Sequence, residues 1–229
     1  MQRVVDQMHM RDITICYGMT ETSPVSFQST PEDPIDRRVN SVGRIHPHVQ
    51  AKIVGKDGRA VPLNTPGELC TRGYGVMRGY WGDPERTKEV IDEANWMHTG
   101  DLATFDEDGF CTIVGRVKDL IIRGGENISP REIEELVYRH PAVLDVAVVG
   151  IPDDKYGEEI CACVRLRSGA VTSSDDIREF CRDRIAHYKV PRYVQFMDDF
   201  PLTVTGKIQK FLLRESMSSV CLAGVDQHG

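Results

Sequence analysis

The sequence lacks any long apolar run. Its most apolar stretch, residues 143–151, is interrupted by Asp145, and nothing approaches the roughly 18 apolar residues that a membrane-spanning helix needs. The first twelve residues contain no apolar core of the kind found in secretory signal peptides. The sequence therefore predicts a protein without a transmembrane segment.

An excess of basic residues is also missing. Lys and Arg number 28 against 35 Asp and Glu, which gives a formal net charge of −7. Domains that bind nucleic acid usually carry a basic surface. We therefore expect no nucleic-acid partner, although a local basic patch could still hold a phosphorylated ligand.

Several cysteine, histidine and glycine signatures are absent. The seven cysteines show no C-x-x-C spacing, and six of them, Cys16 included, have apolar neighbours, which is typical of reduced core thiols in an intracellular protein. The histidines, including His98, have no metal-ligand spacing, so zinc is not expected. The segment that ends in Lys207 does not match the Walker phosphate-loop pattern, because Pro201 stands where the first glycine is required. The dinucleotide-binding pattern that begins at Gly73 lacks its third glycine.

The sequence does contain short strands and helices whose arrangement changes near residue 117. The part before this point is mostly strand and loop, whereas strands alternate with helices after it. We expect an α+β fold, with a strand-rich domain over residues 1–117 and a smaller, mobile α+β domain over residues 118–229.

Local patterns predict the individual elements. Strands are expected at residues 13–16, 49–54, 67–71, 101–105, 110–114, 120–123, 144–149, 160–166 and 193–197. Helices are expected after Asp83-Pro84, after a capping box at Ser129 and Glu132, over residues 174–186, and from Lys207 onward with Ile208, Phe211 and Leu212 facing the core. A Ser-, Thr- and Pro-rich loop is expected from residue 18 to about residue 34, with no element between it and residue 49.

One motif of possible chemical importance follows the first predicted strand. Tyr17 offers a ring that can stack on a base, while the hydroxyl of Thr20 and the carboxylate of Glu21 can reach a phosphate and its Mg²⁺. A capped turn without a ligand is the alternative interpretation.

Two further motifs place charges near the predicted hairpin and the change of pattern. Asp101 stands at a strand start, where a carboxylate can accept hydrogen bonds from both hydroxyls of a ribose, and Arg116 brings a guanidinium near the same sugar. Lys118 lies at the joint between the two parts, where charged residues suit a hinge. The alternative interpretation of Asp101 is that its charge only solvates a strand end. The alternative for the charged residues at Lys118 is a solvated linker.

The fourth motif is a lysine on a glycine-bearing loop. The Lys207 ammonium can neutralise a phosphate and a carboxylate at the same time, which the attack of one anion on another requires. A single exposed lysine is otherwise an ordinary surface residue.

Taken together, five segments resemble the adenylate-forming superfamily, and within it the medium- and long-chain fatty acyl-CoA synthetases. They are YGMTETSPV, GELCTRGYGVMRGYW, WMHTGDLATFDEDGF, VGRVKDLIIRGGENISPREIEE and PLTVTGKIQKF. The resemblance covers about residues 10–214 and extends to the type, order and spacing of the motifs.

This resemblance implies a ligase that uses ATP, Mg²⁺ and CoA to convert a fatty acid into its CoA thioester through an acyl-adenylate. By match to the family motifs, Tyr17 stacks on adenine, Thr20 touches phosphate, Glu21 holds Mg²⁺, Asp101 and Arg116 hold the ribose, Lys207 is the adenylation lysine, Lys118 is the hinge, and Gly125 lines the CoA tunnel.

The phosphate loop and most of the acyl pocket of the family are missing from this sequence. We therefore expect the chain to be the C-terminal part of such an enzyme, with residues 1–117 belonging to the large AMP-binding domain, and to be inactive in isolation. A non-catalytic fragment or isoform that acts as an interaction module is one alternative. A carrier-protein thiol as acceptor is another, disfavoured because no carrier domain follows Lys207. The expected location is intracellular, in the cytoplasm or the mitochondrial matrix.

Overall fold

The computed structural model describes residues 2–225, with side chains described for residues 4–219. It has the expected α+β composition, and the chain divides after Val117 into two compact units. None of the helices within the described residues combines the length and apolar character needed to cross a bilayer.

The first unit is built on two antiparallel sheets. Strands β1 (Cys16–Tyr17), β2 (Phe27–Gln28) and β3 (Arg44–Ile45) form one sheet, and β4 (Val49–Val54), β5 (Gly67–Gly73), β6 (Met97–Phe105) and β7 (Cys111–Arg116) form the other in sequence order. Three helices accompany them: α1 (Gln2–Met8), α2 (Ile35–Asn40) and α3 (Pro84–Val90).

The core of the first unit comes from one face of the four-stranded sheet. Ile53, Leu69 and Ala103 are buried there against Phe27 of the three-stranded sheet. Because side chains alternate along a strand, the residues between them lie on the opposite face of the sheet.

The second unit is a five-stranded sheet with helices on both faces. Strands β8 (Ile121–Arg123), β9 (Glu126–Ile128), β10 (Val143–Asp153) and β11 (Gly157–Leu166) are antiparallel to their neighbours, and β12 (Tyr193–Phe196) pairs with β11 in parallel. The helices are α4 (Pro130–Val137), α5 (Ser174–Cys181) and α6 (Lys210–Val225).

The paired strands β10 and β11 are apolar over residues 146–151 and 160–164 because both of their faces are covered there. Val146 and Val148 face one core together with α4 and α5, whereas Ala147 and Val149 face the other core together with Leu213 of α6. This explains why these parts of the two strands are hydrophobic at successive positions rather than at alternate ones.

Most predicted elements are present, but several of their predicted bounds and contacts are wrong. The first strand is Cys16–Tyr17 rather than 13–16, and Cys16 is exposed instead of lying in the core. Ser129 makes no capping hydrogen bond with its side chain, and Glu132 instead accepts hydrogen bonds from the Lys189 ammonium.

Further differences concern a strand start and two helices. Strand β6 begins at Met97 rather than at residue 101, so Asp101 lies within the strand instead of at its start. Helix α5 ends at Cys181, five residues before the predicted end. Helix α6 begins at Lys210 rather than at Lys207, and it buries Leu213 while Phe211 is largely exposed.

Candidate functional site

Tyr17 and Asp101 are 84 residues apart in sequence and lie in direct contact. The Tyr17 hydroxyl donates a hydrogen bond of 2.6 Å to Oδ2 of Asp101, and the ring packs edge-on against Phe27 with 6.1 Å between centroids. Burial raises the pKa of Tyr17 above its ordinary value of 10, and the hydrogen bond to Asp101 raises it further. The tyrosine is therefore a neutral donor to the carboxylate across the physiological pH range.

Arg116 holds the other oxygen of the same carboxylate. Asp101 and Arg116 are paired residues on the antiparallel strands β6 and β7, and Nε of Arg116 lies 3.0 Å from Oδ1 of Asp101. The Asp101 side chain is 14% exposed and that of Arg116 is 52% exposed, so the pair sits at the surface of the unit with its acidic partner recessed. The structure thus brings together three of the predicted site residues.

An irregularity in β6 determines where Asp101 points. The pairing of β6 shifts register with both of its neighbours near Leu102, and Gly100 adopts a φ of +71° that other residues rarely adopt. The Thr99 hydroxyl donates to the carbonyl of Leu69 at 2.7 Å and accepts from the Asp101 amide at 3.1 Å, which ties the irregular segment to β5.

Glu68 on β5 stabilises the same segment. One of its carboxylate oxygens accepts from the Gly100 amide at 3.1 Å, and the other lies 2.8 Å from Nδ1 of His98. Sequence reasoning missed Glu68 and Thr99 because their contribution comes through the pairing of β5 with β6, which the sequence pattern does not reveal.

His98 also belongs to a group that its sequence spacing did not predict. The ligand-type atoms of Glu68, Cys70 and His98 lie within 4.8 Å of one another, because the register of β5 and β6 pairs Cys70 with His98. Burial raises the pKa of the Cys70 thiol to about 12, and the charge of Glu68 adds to the effect. The thiol is therefore protonated, and the three side chains are held by hydrogen bonds to one another and to Gly100.

Thr20 and Glu21 lie on a short 3₁₀ turn, Thr20–Thr22, that begins three residues after Tyr17. Thr20 is exposed, and Glu21 is half-buried. One oxygen of the Glu21 carboxylate accepts a hydrogen bond of 2.9 Å from the Tyr80 hydroxyl, and the other accepts none from any residue that the structure describes. Tyr80 is a third contributor that sequence reasoning missed, although it stands in the quoted segment GELCTRGYGVMRGYW.

The remaining predicted site residues lie in the second unit, and each is exposed. Lys118 stands on a 3₁₀ turn, Val117–Asp119, and Gly125 is in the tight turn between β8 and β9 with a φ of +89°. Lys207 closes a turn in which its carbonyl accepts from the Thr203 amide at 2.8 Å and its own amide donates to the Thr203 hydroxyl at 3.0 Å. The Lys207 ammonium forms no ion pair within the part of the chain that is described.

Comparison with known proteins gives the family of the chain. The family model described as "AMP-binding enzyme" matches residues 1–81, and that described as "AMP-binding enzyme C-terminal domain" matches residues 132–207, so the two matches fall one in each unit. The chain belongs to the AMP-binding enzymes.

The chain is 53% identical over 215 residues to the medium-chain acyl-CoA ligase ACSF2, mitochondrial, of Rattus norvegicus. The match includes 93% of the chain but only 35% of the relative, so the chain spans about a third of the length of that curated relative.

Solved structures of AMP-binding enzymes share the fold. ATP-bound MatB from Rhodopseudomonas palustris is 34% identical with a TM-score of 0.85, over 91% of this chain and 41% of that one. The amide bond synthetase McbA from Marinactinospora thermotolerans is 36% identical with a TM-score of 0.84, over 94% of this chain and 44% of that one.

Proposed function

We propose that the chain is the nucleotide- and CoA-handling part of a fatty acyl-CoA ligase. The observation that carries the proposal is the Asp101 carboxylate, which is recessed in the first unit and held by Tyr17 and Arg116. We propose, by its match to the family motif, that it is the aspartate that binds the ribose. The identity of 53% to a medium-chain acyl-CoA ligase supports the choice of reaction.

The proposed reaction has two steps. An oxygen of the fatty acid carboxylate attacks the α-phosphorus of ATP and displaces pyrophosphate, which gives the acyl-adenylate. The sulfur of CoA then attacks the acyl carbon and displaces AMP, and the thiol proton is released. The ATP-bound structural neighbour supports ATP as the nucleotide.

Residues of the first unit are proposed to hold the nucleotide. The Asp101 carboxylate accepts hydrogen bonds from the ribose hydroxyls, Arg116 supports it from the next strand, and the Tyr17 ring stacks on adenine. Thr20, exposed on its 3₁₀ turn, donates to phosphate. In this account residues 1–117 belong to the large AMP-binding domain.

Glu21 suits a magnesium ion that arrives with ATP. Mg²⁺ is usually bound by one or two carboxylates together with substrate phosphates and water, and Glu21 offers one carboxylate oxygen that accepts no hydrogen bond within the described residues. When bound, the ion neutralises charge on the phosphate oxygens.

Residues of the second unit are proposed to serve the reacting groups. The Lys207 ammonium, which forms no ion pair with any residue that the structure describes, stabilises the charge that develops on the α-phosphate as the carboxylate attacks. Lys118, the first residue of the second unit, is proposed as the hinge, and Gly125, in an exposed turn with no side chain, as part of the passage for CoA. Residues 118–229 are then the small mobile domain.

A second candidate acceptor has an observation in its favour. McbA, whose printed name is amide bond synthetase, matches 94% of this chain about as well as ATP-bound MatB does. An amine in place of the CoA thiol would use the same adenylate and the same ribose contacts. We propose CoA because the curated relative of higher identity is named as an acyl-CoA ligase. The mitochondrial name of that relative supports a mitochondrial matrix location, with the cytoplasm as the alternative.

The test is calorimetric titration of the complete gene product that contains this chain with a nonhydrolysable acyl-adenylate analogue. Asp101→Ala removes charge-assisted hydrogen bonds worth about 1.5–3 kcal/mol each, so we expect affinity to fall at least about tenfold. Asp57→Ala, at an exposed turn of the same unit, is the matched control and should bind like the wild type. Unchanged affinity in Asp101→Ala would contradict the proposed ribose contact.

A further inference from the structure

The segment of residues 74–80, for which the proposed reaction has no role, packs directly on the 3₁₀ turn that carries Glu21. The Met77 amide donates a hydrogen bond of 2.8 Å to the Glu21 carbonyl. A Cβ atom at Gly75 would lie 2.7 Å from the Thr22 carbonyl oxygen, closer than real side chains come. The two segments are therefore joined backbone to backbone, and only glycine at position 75 allows the contact.

Tyr80 extends this contact to the Glu21 side chain. Its hydroxyl donates a hydrogen bond of 2.9 Å to Oε1 of Glu21 in a partly buried position. The bond leaves Oε2 of Glu21 without a hydrogen bond from any described residue.

The Tyr80 ring is itself held in place from the beginning of α3. The Tyr80 amide donates to the Thr87 hydroxyl at 2.9 Å, and the Arg86 guanidinium lies 4.6 Å from the centre of the ring. The Asp83 carboxylate accepts from the Arg86 amide at 3.0 Å and so fixes the first turn of the helix. The donor is thus attached to a regular element rather than to a free loop.

We propose that Tyr80 is a positioning residue that holds Glu21 in the rotamer that presents its second carboxylate oxygen to the divalent cation of the bound nucleotide. The inference rests on the proposed function, since it assigns the orientation of the metal-binding carboxylate. A glutamate has three rotatable side-chain bonds, and fixing them before the ligand arrives lowers the entropy lost on binding. The hydroxyl acts through Glu21 and touches neither metal nor substrate.

The chain offers a matched pair of variants. Tyr80→Phe removes the hydroxyl and keeps the ring over which Arg86 lies. Tyr74→Phe makes the same change six residues earlier in the same segment, at a tyrosine that is 77% exposed and whose hydroxyl donates no hydrogen bond within the described residues.

The experiment measures metal binding rather than turnover. Mn²⁺ is titrated into the complete gene product at fixed ATP, and free Mn²⁺ is followed by electron paramagnetic resonance. Binding of ATP without metal is measured by calorimetry. We expect Tyr80→Phe to weaken Mn²⁺ binding about threefold to tenfold and to leave metal-free ATP binding within about twofold, whereas Tyr74→Phe changes neither. In a Glu21→Gln background, Tyr80→Phe should have no further effect.

The outcomes separate this inference from the proposed function. If the wild type binds Mn²⁺ with ATP and Tyr80→Phe binds equally well, the inference is wrong and the proposed function stands. The inference is also wrong if Tyr80→Phe weakens the binding of metal-free ATP as much as it weakens the binding of Mn²⁺. It is equally wrong if Tyr80→Phe weakens Mn²⁺ binding in the Glu21→Gln background as much as it does in the wild type. In either case the hydroxyl would act on the fold of the site rather than through Glu21. If the wild type binds neither ATP nor Mn²⁺ with ATP, the proposed function itself fails.

Discussion

At the scale of single residues, the central feature is a carboxylate whose two oxygens are held by different kinds of donor. Arg116 donates to Oδ1 of Asp101 from a charged and half-exposed side chain, and Tyr17 donates to Oδ2 from a neutral and partly buried one. A carboxylate held on both sides is fixed in orientation before a ligand arrives, which reduces the cost of ordering it.

The hydroxyl of Tyr17 is expected to contribute to stability. Tyr17→Phe leaves a recessed carboxylate oxygen without its donor, so the free energy of unfolding should fall by about 1–3 kcal/mol at neutral pH, measured by urea denaturation. Tyr74→Phe, at the exposed tyrosine of the same unit, should change it by less than about 0.5 kcal/mol.

The same tyrosine has an expected pH dependence. The folded-state pKa of Tyr17 lies above the ordinary value of 10, so as the pH rises the unfolded chain releases this proton first. Its contribution is complete below pH 10 and is lost as the pH rises beyond it. The free energy of unfolding should therefore fall less steeply above pH 10 in Tyr17→Phe than in the wild type, and equal slopes would contradict this assignment.

At the scale of elements, the sequence predicts those parts of the fold whose signals are local. The hairpin of β6 and β7, the start of α3 at Asp83-Pro84, and the strands of the second unit all appear where turn residues and apolar runs indicate them. Helix α2 was not predicted, because it is anchored by a buried arginine rather than by an apolar face. Arg38 donates to the carbonyls of Arg11, Ile13 and Asp33, and no periodicity of the sequence reveals such contacts.

The residues of the candidate site likewise fall into those that local sequence signals reveal and those that they do not. The residue types of Tyr17, Asp101 and Arg116 could be chosen from sequence, because Tyr17 and Arg116 stand at strand ends and Asp101 directly follows Gly100. The prediction that Asp101 starts its strand is wrong, since it lies within β6. The supporting hydrogen bonds from Tyr80, Thr99 and Glu68 could not, since they depend on strand register and on a loop that packs against a turn more than 50 residues away.

A buried ion pair should determine the stability of β8 in the second unit. Arg123 makes two hydrogen bonds to Glu159, at 2.9 and 2.7 Å, and these raise the pKa of the guanidinium. The Glu159 side chain is only 1% exposed. Glu159→Ala should lower the free energy of unfolding by up to about 3–5 kcal/mol in urea denaturation, because it leaves a partly buried guanidinium without its main partner.

An apolar double variant provides the control for the ion pair. Arg123→Met combined with Glu159→Leu removes both charges at similar volume, so it should be markedly more stable than Glu159→Ala. If Glu159→Ala costs less than about 1 kcal/mol, the pair does not hold β8 and the turn that contains Gly125.

At the scale of the whole molecule, we propose that the two units contribute to different parts of one reaction. The first contains the residues proposed to hold the nucleotide, and the second contains Lys207, Lys118 and Gly125. Such a division suits a two-step reaction, because a unit that changes its orientation can serve adenylation and thioester formation in turn.

The division predicts that the two half-reactions respond differently to loss of Lys207. In the complete gene product, Lys207→Ala should reduce pyrophosphate release by about two to three orders of magnitude, since an ammonium near the α-phosphate is lost, and should spare thioester formation from supplied acyl-adenylate. Lys155→Ala, at another exposed lysine of the second unit, should leave both rates unchanged. Equal loss of both half-reactions in Lys207→Ala would contradict the assignment.

The most direct test of the account is whether the Asp101 carboxylate recognises ribose hydroxyls. Calorimetric titration of the complete gene product with AMP and with 2′,3′-dideoxy-AMP isolates this contribution, because the two nucleotides differ only in the ribose hydroxyls. We predict that the wild type binds AMP at least about tenfold more tightly than the dideoxy nucleotide and that Asp101→Ala binds the two equally. Equal affinities of the wild type for the two nucleotides would contradict the central claim.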